Sequence, residues 1–224
     1  MATIARPKKY RKICHFPKTL AFKPVGEQST KETVVLTIDE YEALRLIDKE
    51  GQSQEDCSIS MKVARTTVQM IYASARKKLA EAITEGRPIE IEGGDYDLCN
   101  GEEGYCSKTD CHKKLLYNQY IKEEGITRIA LTVNGEEIAS DTEEAKELRL
   151  VDFREGKLVA SAKIDNLSRE QDSFVDYLHI LHVDELICDE IGEYSKEGLE
   201  EIGIRLKNHT KGNLEEIIRS YGSN

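Results

Sequence analysis

Apolar residues in the first half of the chain recur at helical spacing and are interrupted by turn residues. Thr37 and Glu40 have the spacing of a capping box, and apolar positions three or four residues apart follow them as far as Gly51. Ser53 is a suitable N-cap and begins a second, shorter helix that should end near Met61. The pattern therefore predicts two helices in close succession.

A longer third helix is predicted from Arg65, after a turn at residues 62–64. Its apolar side chains share one face, namely Val68, Ile71, Tyr72, Ala75, Leu79 and Ala82. Gly86 and Pro88 end this helix, and the alternation at residues 89–92 indicates a short strand. Two helices joined by so short a turn predict a helix-turn-helix, and we expect the first domain to be all-α.

Strand and helix patterns alternate in the second half of the chain. The predicted strands are residues 128–133, a hairpin formed by 148–153 and 157–164, 185–188 and 204–206, and the predicted helices are 174–181, 195–202 and 213–221. A hairpin followed by alternating helices and strands implies an α/β domain with helices packed on a mixed sheet.

The length of 224 residues suits two small domains. We expect a helix-turn-helix domain with a basic N-terminal arm at 1–97, a cysteine-containing linker and helix at 98–125, and an α/β domain at 126–224. The net charge of -10 is unevenly distributed, because residues 99–224 hold 27 of the 42 acidic side chains. Residues 61–78 have five basic side chains and no acidic one. A phosphate backbone senses such local charge more than the net charge.

Composition indicates an ordinary globular protein, and no apolar run approaches the ~20 residues that a membrane span needs. The basic segment Met1–Lys12 is followed by no apolar stretch, so we expect neither a signal peptide nor a membrane partner. The expected location is the cytoplasm, where the six cysteines should be thiols or metal ligands.

The start of the third helix carries side chains suited to reading DNA. The expected DNA-binding residues are Lys62, Arg65, Thr66, Thr67, Gln69, Arg76, Lys77 and Lys78. Arg pairs with guanine and Gln with adenine through two hydrogen bonds, whereas Thr contacts phosphate or a thymine methyl. In a helix-turn-helix the second helix enters the major groove with its first residues at the base edges. The last three basic residues should meet phosphates.

Two alternatives to this interpretation stay open. The helices could form a plain three-helix bundle whose charges face water, although the capping box and the absence of acidic residues at 61–78 favour DNA. The basic residues before the first helix could follow phosphates or enter a minor groove, or they could form a solubilising tail; they are Arg6, Lys8, Lys9, Arg11 and Lys12.

The first half resembles a widespread prokaryotic family of uncharacterised, predicted DNA-binding proteins similar to sigma-factor region four. The resemblance covers residues 5–97 and lies in Asp39–Asp48, Gln54-Glu55, Met61, Arg65-Thr66-Thr67, Ala75–Lys78 and Gly93–Tyr96, with the early Arg6-Pro7, Pro17, Phe22-Lys23-Pro24 and Gly26. It implies a sigma-region-four-like helix-turn-helix that binds double-stranded DNA, and such modules usually act as homodimers.

The chain departs from this family at two places. Cys57-Ser58 stands where the family usually has two small residues such as alanines, and Lys62-Val63-Ala64 replaces a usual Gly-Val-Ser. The second departure removes the serine that would cap the recognition helix, at a cost of about 1 kcal/mol.

A cluster of cysteines follows the first domain. Cys99, Cys106 and Cys111 have a C-x6-C-x4-C spacing that predicts a zinc or iron–sulfur site. Its fourth ligand is either the adjacent His112, Cys14, His15 or a residue of another chain. The alternative is a linker with free thiols, because zinc sites usually have closer cysteine pairs. Cys57 and Cys188 are expected to be buried thiols.

The second half resembles the NifX-like dinitrogenase iron–molybdenum cofactor biosynthesis domain over residues 126–222. The resemblance lies in Val183–Gly192 before a helix, in Leu199 and Gly203-Ile204, and in Leu214–Ile217. It implies a ribonuclease-H-like α/β fold and a connection with metal clusters or a small ligand. The family's His-Phe-Gly segment and glycine-rich lead are absent, so no cluster ligand is carried over.

These observations give a leading hypothesis and an alternative. The leading hypothesis is a dimeric transcriptional regulator whose second domain senses a ligand or metal cluster, or supports dimerisation. The alternative is an iron–sulfur or iron–molybdenum cluster carrier or assembly accessory protein. No phosphate-loop, nucleophile-elbow or metalloprotease motif occurs, and we expect no enzymatic activity.

Overall fold

The computed structural model describes residues 10–25, 31–102, 111–165 and 173–222. Contacts within the chain divide it into two compact units, one ending at Cys99 and one that begins at Asn100. Among the described residues, no helix is both long enough and apolar enough to cross a bilayer.

The helices of unit 1 begin and end where the local signals predict. They are α1 (Ile38–Leu44), which continues as a π-helical turn (Arg45–Lys49), α2 (Gln54–Ser60) and α3 (Arg65–Glu85). The Thr37 N–H donates to Glu40 Oε2 at 2.9 Å in the predicted capping box, and Ser53 Oγ accepts from the Asp56 N–H at 3.1 Å. Gly86 ends α3 in the left-handed conformation at φ 63°.

The expectation of an all-α first domain is wrong, because two small sheets accompany the helices. The strands are β1 (Arg11–Ile13), β2 (Ala21–Phe22), β3 (Val34–Leu36), β4 (Ile89–Ile91) and β5 (Tyr96–Leu98). β1 pairs in parallel with β5, while β4 lies between β2 and β3. Only β4 lies in a segment with an alternating pattern, at residues 89–92, and the other strands are too short to leave such a signal. Each strand also pairs with residues distant in the sequence.

The core of unit 1 lies between α3 and the two helices before it. Val68, Ile71 and Ala75 of α3 are buried, as are Leu46 and Met61 from the preceding segments. Buried residues three or four positions apart occupy one side of α3, because each residue turns the helix by about 100°. The opposite side of α3 is therefore left to solvent.

Unit 2 has the mixed sheet that the strand and helix pattern predicts, with a sixth, two-residue strand that it does not predict. Its elements are α4 (His112–Gln119), β6 (Thr127–Asn134), β7 (Glu137–Ile138), β8 (Glu147–Arg154), β9 (Lys157–Asp165), α5 (Phe174–Ile180), β10 (Glu185–Ile187), α6 (Glu193–Glu201), β11 (Arg205–Lys207) and α7 (Leu214–Tyr221). The strand order is β11-β10-β6-β8-β9, with β7 beside β6. β10 is parallel to both neighbours, whereas β6, β8 and β9 are antiparallel.

An internal charge network joins the elements of unit 2. The buried Arg128 guanidinium binds both carboxylate oxygens of Asp152, at 2.7 and 2.8 Å, and donates to the carbonyls of Tyr120 and Leu181. Lys113 of α4 and Asp176 of α5 form a fully buried ion pair at 3.3 Å. These groups are engaged inside the unit and leave no charge for a partner.

Candidate nucleic-acid interface

The turn between α2 and α3 is tight and strained. Lys62 adopts the left-handed conformation at φ 52°, and the Val63 N–H donates to the Ser58 carbonyl at 3.1 Å. A side chain in this conformation costs roughly 1–2 kcal/mol relative to glycine. The geometry explains why a glycine suits this position, and the lysine that replaces it is exposed.

The N-terminus of α3 lacks a side-chain cap, as expected from the alanine there. Ala64 is the N-cap at φ -68° and ψ 147°, and its side chain accepts no hydrogen bond. Its carbonyl accepts the N–H groups of Thr67 at 2.9 Å and Val68 at 3.1 Å. The backbone therefore has the geometry of a capped helix without the capping oxygen.

The first turns of α3 present the predicted base-reading side chains to solvent. Arg65, Thr66 and Gln69 are exposed, and Thr67 is half-buried. The Arg65 guanidinium lies 3.9 Å from the Glu55 carboxylate with both side chains largely exposed, so this pair is weak. DNA would displace it at little cost.

Arg76 is held in place by an aromatic contact further along α3. Its guanidinium lies 5.6 Å from the ring centroid of Tyr72, whose hydroxyl donates to Asp48 Oδ1 at 2.6 Å. The hydrogen bond to Asp48 raises the pKa of Tyr72. A cation over an aromatic face loses less entropy on binding than a free arginine.

Lys77 and Lys78 have opposite surroundings although they are adjacent. The Lys77 side chain is 79% exposed and lies 3.7 Å from Glu81 one turn later. Lys78 Nζ lies 2.7 Å from the buried Glu40 carboxylate, which also accepts from Ser74 at 2.6 Å. Lys78 therefore ties α3 to α1, and of the predicted phosphate contacts it is the one committed to the protein itself.

Hydrogen bonds also set the ionisation of Glu40. Burial alone would raise the pKa of Glu40, but the hydrogen bonds from Lys78, Ser74 and the Thr37 N–H outweigh it and lower the pKa. Glu40 is therefore an anion near neutral pH and gives Lys78 a permanent partner.

The N-terminal arm lies partly within and partly outside the described residues. Arg11 and Lys12 belong to β1 rather than to a tail, with Arg11 3.3 Å from Asp39 and 3.4 Å from Asp95, and Lys12 paired with Asp97. Neither the DNA-tracking nor the tail interpretation fits these two residues. Arg6, Lys8 and Lys9 lie outside the described residues.

Two residues on the same face of α3 were absent from the sequence prediction. Met70 is 69% exposed and Ala73 is also exposed. Both follow from the three-to-four-residue spacing of the exposed face and supply apolar surface that suits a thymine methyl.

The predicted metal ligands are only partly described. Cys99 is buried and its N–H donates to the Ile13 carbonyl at 2.8 Å, while Cys111 and His112 are half-buried at the start of α4. Cys106 lies outside the described residues. Within the described part of the chain, no three His, Cys, Asp or Glu side chains come together as a metal site. The four-ligand site stays a prediction.

Cys57 and Cys188 are buried thiols, as predicted. Burial raises the pKa of Cys57 to about 12 and that of Cys188 to about 11. The Cys57 thiol lies 3.6 Å from the Met61 sulfur. His182 has a structural role too: its ring packs edge-on against Tyr117 at 5.0 Å, and burial lowers its pKa.

Solved structures are similar to the C-terminal part of the chain at low scores. The crystal structure of PH0822 has a TM-score of 0.41 at 12% identity and covers 43% of this chain and 89% of that one. A Methanocaldococcus jannaschii protein whose description mentions dinitrogenase has a TM-score of 0.35 at 16% identity, covering 43% and 88%. TM-scores this low do not establish a common fold or function.

Similarity over the first unit is much higher. The model of a family described as "Protein of unknown function DUF134" matches residues 1–99. UPF0251 protein DSY3441 of Desulfitobacterium hafniense (strain Y51) is 48% identical over 110 residues, which are 49% of this chain and 87% of that protein. A UPF0251 protein of Methanococcus vannielii is 44% identical over 107 residues, 47% and 82% of the two chains. The chain belongs, through its first unit, to this UPF0251 family.

Proposed function

We propose that this protein is a DNA-binding transcriptional regulator without enzymatic activity. The observation that carries the proposal is the solvent-exposed face at the start of α3, where Arg65, Thr66 and Gln69 follow the tight turn after α2. Their donors and acceptors match base edges, and the helix before them supports the orientation that a helix-turn-helix uses in the major groove.

The basic residues around this face suit the phosphates on either side. Lys62, Arg76 and Lys77 are exposed, and no acidic residue interrupts residues 61–78. About three phosphate contacts per chain would give a salt dependence with a slope of roughly -3 in log affinity against log salt, and about twice that for a dimer. Lys78 is left out because Glu40 neutralises it.

The experiment that tests this proposal selects genomic DNA fragments bound by the purified chain at roughly physiological salt, where non-specific binding is weak. The wild type should recover a short shared motif, and Arg65→Ala with Gln69→Ala should lose it. Lys196→Ala, a half-exposed lysine of α6, is the control for lost positive charge. No shared motif from folded wild-type protein would contradict the proposal.

We also propose that the active form is a homodimer joined through β9. This nine-residue strand is at the edge of the sheet of unit 2, and Leu158 and Val159 are 53% and 50% exposed. An edge strand without proline or glycine is a ready template for another strand. Antiparallel pairing of two copies centred on Ser161 would place Leu158 of one copy opposite Ile164 of the other, so the edge is self-complementary in its apolar residues.

The mass of the protein in solution tests the dimer. Light scattering should give a dimer for the wild type and a monomer for Ser161→Glu, because residue 161 lies opposite itself in this pairing and the variant places two like charges face to face. Tyr194→Glu, which replaces an exposed aromatic residue of α6, should stay dimeric. A monomeric wild type, or a dimeric Ser161→Glu protein, would contradict pairing through β9.

A further inference from the structure

A pocket opens in unit 1 beside the C-terminal half of α3. It has a volume of about 490 Å³ and lies between α1 with its π-helical turn, α3, and the strands β2, β3 and β4. Its walls are apolar, and its lining residues are Leu36, Tyr41, Leu44, Leu79, Ile89 and Ile91, with Phe22 and three charged residues. This size and character fit a small-molecule site.

The charged residues that line the pocket differ in what they can still bind. Arg45 is occupied, because its guanidinium donates to both oxygens of Glu42, at 2.7 and 2.8 Å, and also binds Glu50. Asp48 accepts the Tyr72 hydroxyl. Lys49 is exposed and makes no ion pair with any described residue, so the pocket offers one available cation beside apolar walls.

The π-helical turn carries all three charged residues that line the pocket. The Glu50 N–H donates to the Arg45 carbonyl at 3.0 Å, five residues back, and the Gln52 N–H donates to the Leu46 carbonyl at 3.0 Å. A wider turn changes the face that each later residue presents, and π-helical turns are frequent at functional sites. Arg45, Asp48 and Lys49 share one rim of the pocket, as positions three and four residues apart on a helix do.

We propose that this pocket binds a small carboxylic acid with an aliphatic or aromatic body. The body fills the apolar space lined by Leu44 and Leu79, and the carboxylate pairs with Lys49 at the rim. Neither a neutral nor a cationic ligand uses the available lysine. The bound acid acts as an effector of the adjacent α3.

The coupling from the pocket to α3 follows contacts already described. Leu79 is a residue of α3 itself, and Asp48 on the rim accepts from Tyr72, whose ring holds Arg76. A carboxylate added at Lys49 lies near Asp48 and brings negative charge to the segment that orients Arg76. The bound acid therefore weakens DNA binding. This effect rests on the proposed function, whereas binding of the acid to the pocket does not.

Calorimetry without DNA tests the pocket directly with decanoate, decylamine and decanol. Decanoate should bind once per chain with a Kd on the order of 0.1 mM, and decylamine at least about tenfold more weakly. Lys49→Met, which leaves the apolar walls unchanged, should weaken the binding of decanoate about threefold or more and remove its preference over decanol. No saturable decanoate binding, or equal binding of decylamine, overturns the proposal.

A matched pair of variants on α3 tests the location of the site. Leu79→Trp should fill the pocket and weaken the binding of decanoate about tenfold or more. Ile83→Trp adds the same ring one turn later, at a position that is 70% exposed and does not line the pocket, and should bind decanoate as the wild type does. Equal binding by folded Leu79→Trp and Ile83→Trp proteins overturns the site.

DNA binding in the presence of decanoate tests the coupling. Saturating decanoate should weaken binding to the selected motif about fivefold or more, and Tyr72→Phe should reduce that effect while leaving the decanoate Kd unchanged. An unchanged DNA affinity overturns the effector role. If the wild type selects no DNA motif, the proposed function fails, and the calorimetry still decides the pocket.

Discussion

The missing cap of α3 gives a prediction whose sign and size come from the backbone. Ala64 has φ -68° and ψ 147°, close to the φ -69° and ψ 160° of Ser53, which caps α2. Ser53 Oγ accepts the N–H three residues later at 3.1 Å. A serine introduced by Ala64→Ser can therefore accept the Thr66 N–H, or share the Thr67 N–H with the carbonyl of residue 64, without backbone movement.

The expected gain is about 1 kcal/mol in the free energy of unfolding of unit 1, the typical value of an N-cap serine over alanine. For a unit of this size such a gain raises Tm by about 4–8 °C. Hydrogen exchange of the α3 amides at increasing urea concentration measures unit 1 separately from unit 2.

Ala73→Ser is the matched control, because it makes the same chemical change at an exposed position inside α3. There the serine should cost up to about 0.5 kcal/mol, since it has a lower helix propensity than alanine and competes for backbone hydrogen bonds. The reasoning is refuted if Ala64→Ser fails to stabilise unit 1, or if the two substitutions change stability with the same sign.

Three further predictions concern buried polar groups. Because the folded-state pKa of Glu40 lies below its ordinary value of 4.5, ionised Glu40 stabilises unit 1 above pH 4.5, and this contribution is lost as the pH falls through the folded-state pKa. The urea midpoint of Glu40→Gln should therefore depend less on pH in this acidic range than that of the wild type. An identical pH dependence would contradict this role of Glu40. Arg128→Met should destabilise unit 2 by about 3–5 kcal/mol, because it leaves Asp152 partly buried and unpaired, and a urea midpoint like that of the wild type would count against the network. Cys57 and Cys188 should react with a maleimide at pH 7 only after unfolding, since burial raises the pKa of both thiols. Mass spectrometry that finds either cysteine labelled in the native protein would contradict this.

The sequence predicts the helices of unit 1 well because their signals are local. Thr37 with Glu40, Ser53 and Gly86 each fix a helix end through groups only a few residues away. The strand pair β1–β5 joins residues 84 or more apart through three-residue strands, so no window of sequence contains it. Only the folded chain brings these two strands together.

The candidate interface shows the same division between local and distant information. The exposed face of α3 follows from helical periodicity, which gives the positions of Arg65 and Gln69. Lys78 is neutralised, unlike the adjacent Lys77, because it pairs with Glu40, which lies 38 residues earlier in the chain. The effector pocket is also non-local, because the strands and the π-helical turn meet only in the folded unit.

Selection of genomic DNA by the wild type and by the Arg65→Ala, Gln69→Ala double variant tests the central claim most directly. We expect a short shared motif for the wild type at physiological salt, retention of that motif by Lys196→Ala, and its loss in the double variant. Recovery of no motif by folded wild-type protein, or of the same motif by the double variant, would contradict DNA reading by α3.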